Sequence, residues 1–249
     1  WNVYYELFFI AILSGMRVVL TYQALTTLQS RRMRMVMLPV VAYLISSISQ
    51  ISSFEFGASA VPLGLTAFGF TLAVWGLVKY SGSRRSLTYM ILGGLIASWT
   101  AASGVIAWPI YLALMLLLGY KKPAQLITWL VSALAVNAPY LYFLVINRQP
   151  GTNAYFQGFF NPRLIANLLG RPFANGIGSS TQSIPMGEAA GWIGLALGGV
   201  GLLLVCLNWK KLHTKAAPAV MFLVFGLLSA WQTSLFRVMI APWYTNMVM

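Results

Sequence analysis

The stretch "TAASGVIAWPIYL", residues 100–112, decides how this chain is read. It interrupts an apolar run that begins after Arg84-Arg85-Ser86 and ends at Lys121-Lys122. Ser103-Gly104 reads as the turn of a helical hairpin with arms over 87–103 and 105–120. Each arm has about 17 residues, somewhat fewer than the ~20 that cross the hydrocarbon core of a bilayer. The tip of the hairpin can therefore lie below the surface it points to. Trp108-Pro109 is expected to open the second arm, because proline is tolerated in the first turn of a helix. Irregular backbone at membrane depth is allowed only where it faces protein or a wet cavity. A tight turn and a cavity-lining turn both satisfy that condition.

Composition supports this reading. Of 249 residues, 59% are hydrophobic and 8% charged, where soluble domains carry about 25% charged residues. The expected fold class is all-α, a polytopic transmembrane bundle of about eight membrane helices. The formal charge of +13 does not mark a nucleic-acid binder. Its Lys and Arg stand in short groups between apolar runs rather than on one soluble face. One cysteine, Cys206, cannot form an internal disulfide. One histidine, His213, is expected in a Lys-rich loop. With three acidic residues in the chain, no metal cluster assembles. The chain opens on Trp1 inside an apolar run and is expected to be a piece of a longer protein.

Eight apolar runs serve as crossings: 3–28, 35–53, 63–79, 87–103, 105–120, 124–147, 188–209 and 216–236. Between them, Arg31, Arg32 and Arg34, then Lys79, Arg84 and Arg85, then Lys121 and Lys122, then Lys210, Lys211 and Lys215 fall in alternate loops. The positive-inside rule puts these loops in the cytoplasm. Residues 1–3, 54–62, about 104, 148–187 and 237–246 are then outside. Residues 1–249 form a single transmembrane domain, with 148–187 as an outer, periplasmic loop.

Several residues could carry function at that outer side. Glu6, about one turn inside the first helix, reads as functional by default. Glu55 sits in a short outer loop between aromatics. Either can be a structural hydrogen-bond acceptor. Glu188 is expected to cap the start of a helix, where a negative charge suits the dipole. The segment "LISSISQISSFEFG" (44–57), with Gln50 among its serines, is polar enough to want water or polar neighbours. Arg17 lies about 21 Å along its helix and is expected to have a partner on another helix. Gly187, Gly191, Gly194, Gly198 and Gly201 repeat at spacings of four and three, a stripe suited to close helix packing. Pro139 should bend its helix, and Asn137 can satisfy a freed backbone group. In the outer loop, "NPRLIANLLGRPF" is expected to form a short amphipathic helix on the membrane surface, with Arg163 and Arg171 placed to meet phosphates.

Three stretches taken together, "WNVYYELFFIAIL" (1–13), "SWTAASGVIAWPIYLALMLLL" (98–118) and "FNPRLIANLLGRPFANGIGSS" (160–180), resemble bacterial polytopic proteins of the GT-C glycosyltransferase superfamily. "SLFRVMIAPWYTN" is similar to their "R…RYT" region, with Trp243 where a second arginine would stand. The resemblance implies transfer of a sugar from a polyprenyl-phosphate carrier to an acceptor at the outer face of the bacterial inner membrane. It implies a catalytic acid in a first outer loop, which would lie upstream of Trp1. Glu55 or Glu6 would be the catalytic base only where that loop does not supply one. Arg163, Arg171 and Arg237 would then meet the carrier phosphate, and Ser103, Gly104, Trp108 and Gln50 would line the outer cavity. The partners are a polyprenyl-phosphate-linked sugar and membrane lipid, with no nucleic acid. The sequence identifies no cofactor and leaves a divalent cation open. A lipid-linked glycan flippase or other transporter, a polysaccharide polymerase, and a structural membrane subunit are the competing readings.

Overall fold

The structure is a computed structural model that describes residues 3–27, 57–100, 104–146, 162–163, 165–166, 169 and 183–245. All regular structure among them is helical, so the fold is all-α. Seven helices are described: α1 (Val3–Thr26), α2 (Gly57–Lys79), α3 (Arg84–Thr100), α4 (Gly104–Leu117), α5 (Pro123–Ile146), α6 (Ser183–Leu207) and α7 (Trp209–Thr245). Two of them, over Phe8–Thr26 and Pro185–Leu207, are long and apolar enough to cross a membrane. Shorter apolar helices cover Gly64–Lys79, Gly104–Leu117 and His213–Ser229.

A backbone-to-backbone glycine seam joins α2 to α3, which run antiparallel. A Cβ on Gly69 would stand 2.5 Å from the Gly93 carbonyl oxygen and 2.7 Å from the Ala97 nitrogen. Gly93 faces Gly69 and Ala73 in the same way, and Gly76 accommodates the Tyr89 side chain. Small residues at Gly69 and Ala73 thus meet small residues at Gly93 and Ala97. This is how helices approach backbone to backbone where dispersion must hold them together. The glycine stripe read from the sequence, on α6, is used less. Gly191 faces the Ala166 backbone and Gly198 faces Leu223, while Gly194 and Gly201 meet nothing within 4 Å among the described residues.

α1 packs on α2 in parallel. Leu13 lies beside Gly64, and ten residues further on the Trp75 indole donates to Gln23 Oε1 at 2.7 Å. Thr26 and Gly57 therefore stand at opposite ends of the bundle. The apolar run expected at 35–53 lies outside the described residues.

The hairpin read from residues 100–112 is present, with α3 and α4 as its arms. Its chemistry differs from the expectation in one respect. α4 begins at Gly104, so Pro109 sits inside the helix rather than in its first turn. Gly104 is required because the Ala97–Ser98 backbone occupies the space a side chain would fill. At 1.5 Å per residue α4 is about 21 Å long and α3 about 25 Å, against about 36 Å for α1 and α5. The hairpin is accordingly the shortest part of the bundle.

The core lies where α2, α3, α4 and α7 meet. Phe70 stacks on Phe225, with ring centroids 3.9 Å apart, and on Tyr111 at 5.7 Å, and meets Phe222 edge-on. α6 and α7 form a second hairpin with its corner at Asn208, whose side chain donates to the Leu204 carbonyl at 3.0 Å. The Lys210–Lys215 segment, expected as a loop, is the start of α7. His213 stacks on Trp209 there, with Nδ1 donating to the Trp209 carbonyl at 2.7 Å. α7 also continues through Arg237 to Thr245, where the sequence suggested an outer segment from 237.

The bundle has one basic end. The Tyr120 hydroxyl donates to the Leu77 carbonyl and the Gln125 amide to the Gly82 carbonyl, both at 3.1 Å, so the turns after α2 and α4 lie side by side. α7 starts at the same end, since Ala219 and Phe222 pack against Leu25 in the last turn of α1. Lys79, Arg84, Arg85, Lys121, Lys122, Lys210 and Lys215 are all exposed there.

Candidate functional site

The candidate site lies at the other end, around the tip of the short hairpin and the start of α6. Polar side chains collect near the tip because α2, α3, α4 and α5 each bring some to that level. Thr66 Oγ1 bonds Thr100 Oγ1 at 2.7 Å, and Thr100 donates on to the Ile96 carbonyl. The Trp108 indole donates to Ser98 Oγ at 2.9 Å. The Trp129 indole donates to the Trp108 carbonyl at 3.0 Å, just before Pro109, and the Trp99 indole to the Val136 carbonyl at 3.3 Å. Each of these indoles joins two helices through the one polar atom it carries.

Two of the expected cavity residues are packed instead. Trp108 is 2% exposed, with its ring against Gly94. Gly104 is buried on the α3 backbone. The physical reason is the same for both: the arms of the hairpin close on each other through Gly94 and Gly104. Ser103 and Gln50 lie outside the described residues.

Asn137 was expected to satisfy a group freed by Pro139. Proline at 139 removes the donor to the Ala135 carbonyl, yet the Asn137 amide goes to the Ala133 carbonyl at 2.7 Å. Its Oδ1 is buried without a hydrogen-bond partner among the described residues. Asn137 is 6% exposed, so this acceptor is withheld from bulk water.

The outer arginines and carboxylates are brought together only in part. The described residues of the 161–170 segment are helical, as expected, but Ile165 and Ala166 are buried and the Ala166 backbone rests on Gly191. The segment is docked on α6 rather than lying free on the surface. Docking puts Arg163 Nε 3.7 Å from Glu188 Oε1. Glu188 also accepts from the Trp192 indole at 3.4 Å. It lies in the second turn of α6, which starts at Ser183, so it pairs with an arginine instead of capping the helix. Arg163 remains 83% exposed and keeps donors for an anion. Glu55 and Arg171 lie outside the described residues. Glu6 and Arg237 lie on α1 and α7, and nothing further is described of their side chains.

Arg17 sits on the α1 face that turns inward. Its Nε is buried without a hydrogen-bond partner among the described residues, so the expected partner is not found there. The Tyr111 hydroxyl, on a residue 0% exposed, is likewise without one. No group of His, Cys, Asp and Glu among the described residues could hold a metal ion.

Chemically, the described part of the site offers hydroxyls, amides, indoles and one exposed guanidinium. It can bind a polar, anionic molecule. The one carboxylate described in full is already engaged by Arg163 and Trp192. The sequence reading passed over Thr66, Thr100, Ser98, Trp99 and Trp129. Their signal is present all the same, as hydroxyls and indoles in otherwise apolar runs. Comparison with protein-family models, with curated proteins and with solved structures finds no match for this chain.

Proposed function

We propose that this chain belongs to a multi-pass membrane protein of about eight crossings that works on a lipid-linked glycan at the outer face of a bacterial inner membrane. The observation that carries the topology is the parallel packing of α1 on α2. Two parallel neighbours need a return crossing between them, and 35–53 has the composition for one. The segregation of charge supports the same reading, with seven exposed cations at one end. So does α6, which exposes Ile193, Leu197, Val200, Leu204 and Leu207 along one stripe suited to lipid.

In this reading the protein transfers a sugar from a polyprenyl-phosphate carrier, in the manner of the GT-C proteins that the sequence resembles. Arg163 meets the carrier phosphate, with Glu188 orienting it. Arg171 and Arg237 add charge, and Glu6, Glu55 or an upstream carboxylate activates the acceptor hydroxyl. Arg163→Gln tests the assignment in membrane vesicles supplied with radiolabelled polyprenyl-phosphate sugar. Transfer should fall at least tenfold with the amount of folded protein unchanged. Undiminished transfer overturns the role of Arg163. A cysteine scan tests the topology. In a Cys206→Ser background, G82C and G119C should react with an impermeant maleimide from one side of the membrane and R163C from the other. Labelling of all three from one side refutes it.

Arg17 favours a second reading, a flippase. A guanidinium within an apolar helix is a functional group by default, and translocation of a phosphate-bearing lipid uses one.

A further inference from the structure

The basic end carries more charge than its own helices can use. Lys79 is accounted for internally. It lies in the last turn of α2, the negative end of the helix dipole, with Nζ 4.8 Å from the Trp75 ring centroid and 5.7 Å from that of Tyr80. Arg84, Arg85, Lys121 and Lys122 are placed in the opposite sense. Arg84 and Arg85 occupy the first turn of α3, and Lys121 and Lys122 directly precede Pro123, which opens α5. Each pair stands at the positive end of a helix, where a cation is unfavourable. None of the four forms an ion pair among the described residues. The one salt bridge described, Arg163–Glu188, belongs to the other end.

The two pairs are also held in a fixed relation. Gly82 and Gly119, at φ of 77° and 80°, shape the two turns. The Ser86 hydroxyl donates to the Ser83 carbonyl at 2.6 Å at the start of α3. Tyr120 to Leu77 and Gln125 to Gly82 then clamp one turn to the other. Four exposed cations are presented side by side on a rigid base, with Trp75, Tyr80 and Tyr89 packed against one another beside it. Aromatic rings at the end of apolar helices mark headgroup depth, and the anion abundant at that depth is lipid phosphate.

We propose that the clamped turns 80–85 and 119–125 form a binding surface for anionic phospholipid headgroups of the inner leaflet. The surface holds such lipids selectively rather than merely sitting among them. The inference rests on the membrane reading and not on sugar transfer. What distinguishes it from diffuse attraction is that arrangement matters as well as charge.

The test is native mass spectrometry of the purified protein in mixed micelles holding equal phosphatidylglycerol and phosphatidylcholine, with retained lipids counted. Phosphatidylglycerol should be enriched among them. R84Q/R85Q and K121Q/K122Q should each lower the enrichment, by up to about fivefold per charge removed. Y120F/Q125A removes no charge but cuts the clamp, and should lower the enrichment with α-helix content unchanged. K210Q/K215Q removes two charges outside the clamp and should lower it least. An equal effect of K210Q/K215Q and K121Q/K122Q overturns the proposal, as does an unaltered Y120F/Q125A variant. Displacement of phosphatidylglycerol by a polyglutamate peptide of equal charge overturns it in favour of an acidic protein partner. If the membrane reading itself fails, the protein stays monodisperse without detergent and retains neither lipid, a different result from retaining both equally.

Discussion

Replacing Gly69 by alanine adds one methyl group to the backbone-to-backbone seam between α2 and α3. That methyl would stand 2.5 Å from the Gly93 oxygen and 2.7 Å from the Ala97 nitrogen. Both are backbone atoms, so no side chain can rotate away. Restoring ordinary van der Waals distance moves α2 from α3 by about 1 Å, and a gap of that size forfeits a quarter to a half of the dispersion at each contact. Overpacking of this kind costs about 1–3 kcal/mol. Gly15 provides the control, because nothing lies within 4 Å of its added Cβ. Gly15→Ala should be stabilising by up to about 1 kcal/mol through helix propensity alone. The propensity gain is common to both helical sites, so the two variants should differ by the overpacking cost alone, about 1–3 kcal/mol. Unfolding in mixed micelles, followed by tryptophan fluorescence against SDS fraction, measures the difference. If Gly69→Ala is as stable as Gly15→Ala, the glycine seam between α2 and α3 is not what holds this bundle together.

Three further outcomes follow from the same packing. Tyr111→Phe removes a buried hydroxyl without a described partner and should raise stability in the same assay by about 1 kcal/mol, the lower range of an unsatisfied group. A double-mutant cycle of Trp108→Phe with Ser98→Ala should return a coupling near 0.6 kcal/mol, typical of side-chain hydrogen bonds between membrane helices. A coupling of zero would mean that the 2.9 Å bond is incidental. Arg17→Met should raise stability by up to about 3 kcal/mol while lowering activity. A fall in stability instead reveals an ion pair that the guanidinium makes.

The all-helical fold was legible because apolar runs and basic loops recur along the chain, and the hairpin because Ser-Gly interrupts one such run. Other features were not legible, for physical reasons. A glycine stripe shows that helices can approach closely, not which ones do. The α6 stripe is regular but lightly used, while the working seam combines Gly69 and Ala73 with Gly93 and Ala97 on two helices. Lys210 and Lys215 read as loop because charge ends a membrane span, yet charge does not end a helix, and α7 runs through them. Trp108 belongs at a cavity by the family resemblance. Gly94, fourteen residues away, provides the space that buries it. The pairing of Arg163 with Glu188 links residues 25 apart and depends on Ala166 finding Gly191, a contact that no local pattern encodes.

The parallel pairing of α1 with α2 bears on how the protein is made. α1 presents Arg17, Thr21 and Gln23 toward the bundle, and Gln23 accepts from the Trp75 indole. Ribosomes add about 5–20 residues per second, so the chain from Thr26 to Lys79 takes roughly 3–10 s to emerge. Throughout that interval the Gln23 amide lacks the Trp75 indole that it accepts from in the finished fold. In the membrane reading proposed above, the insertion machinery shelters that group until Trp75 arrives. Conditions that hasten the release of α1 into lipid would then lower the yield of folded protein without touching the stability of the molecules that form.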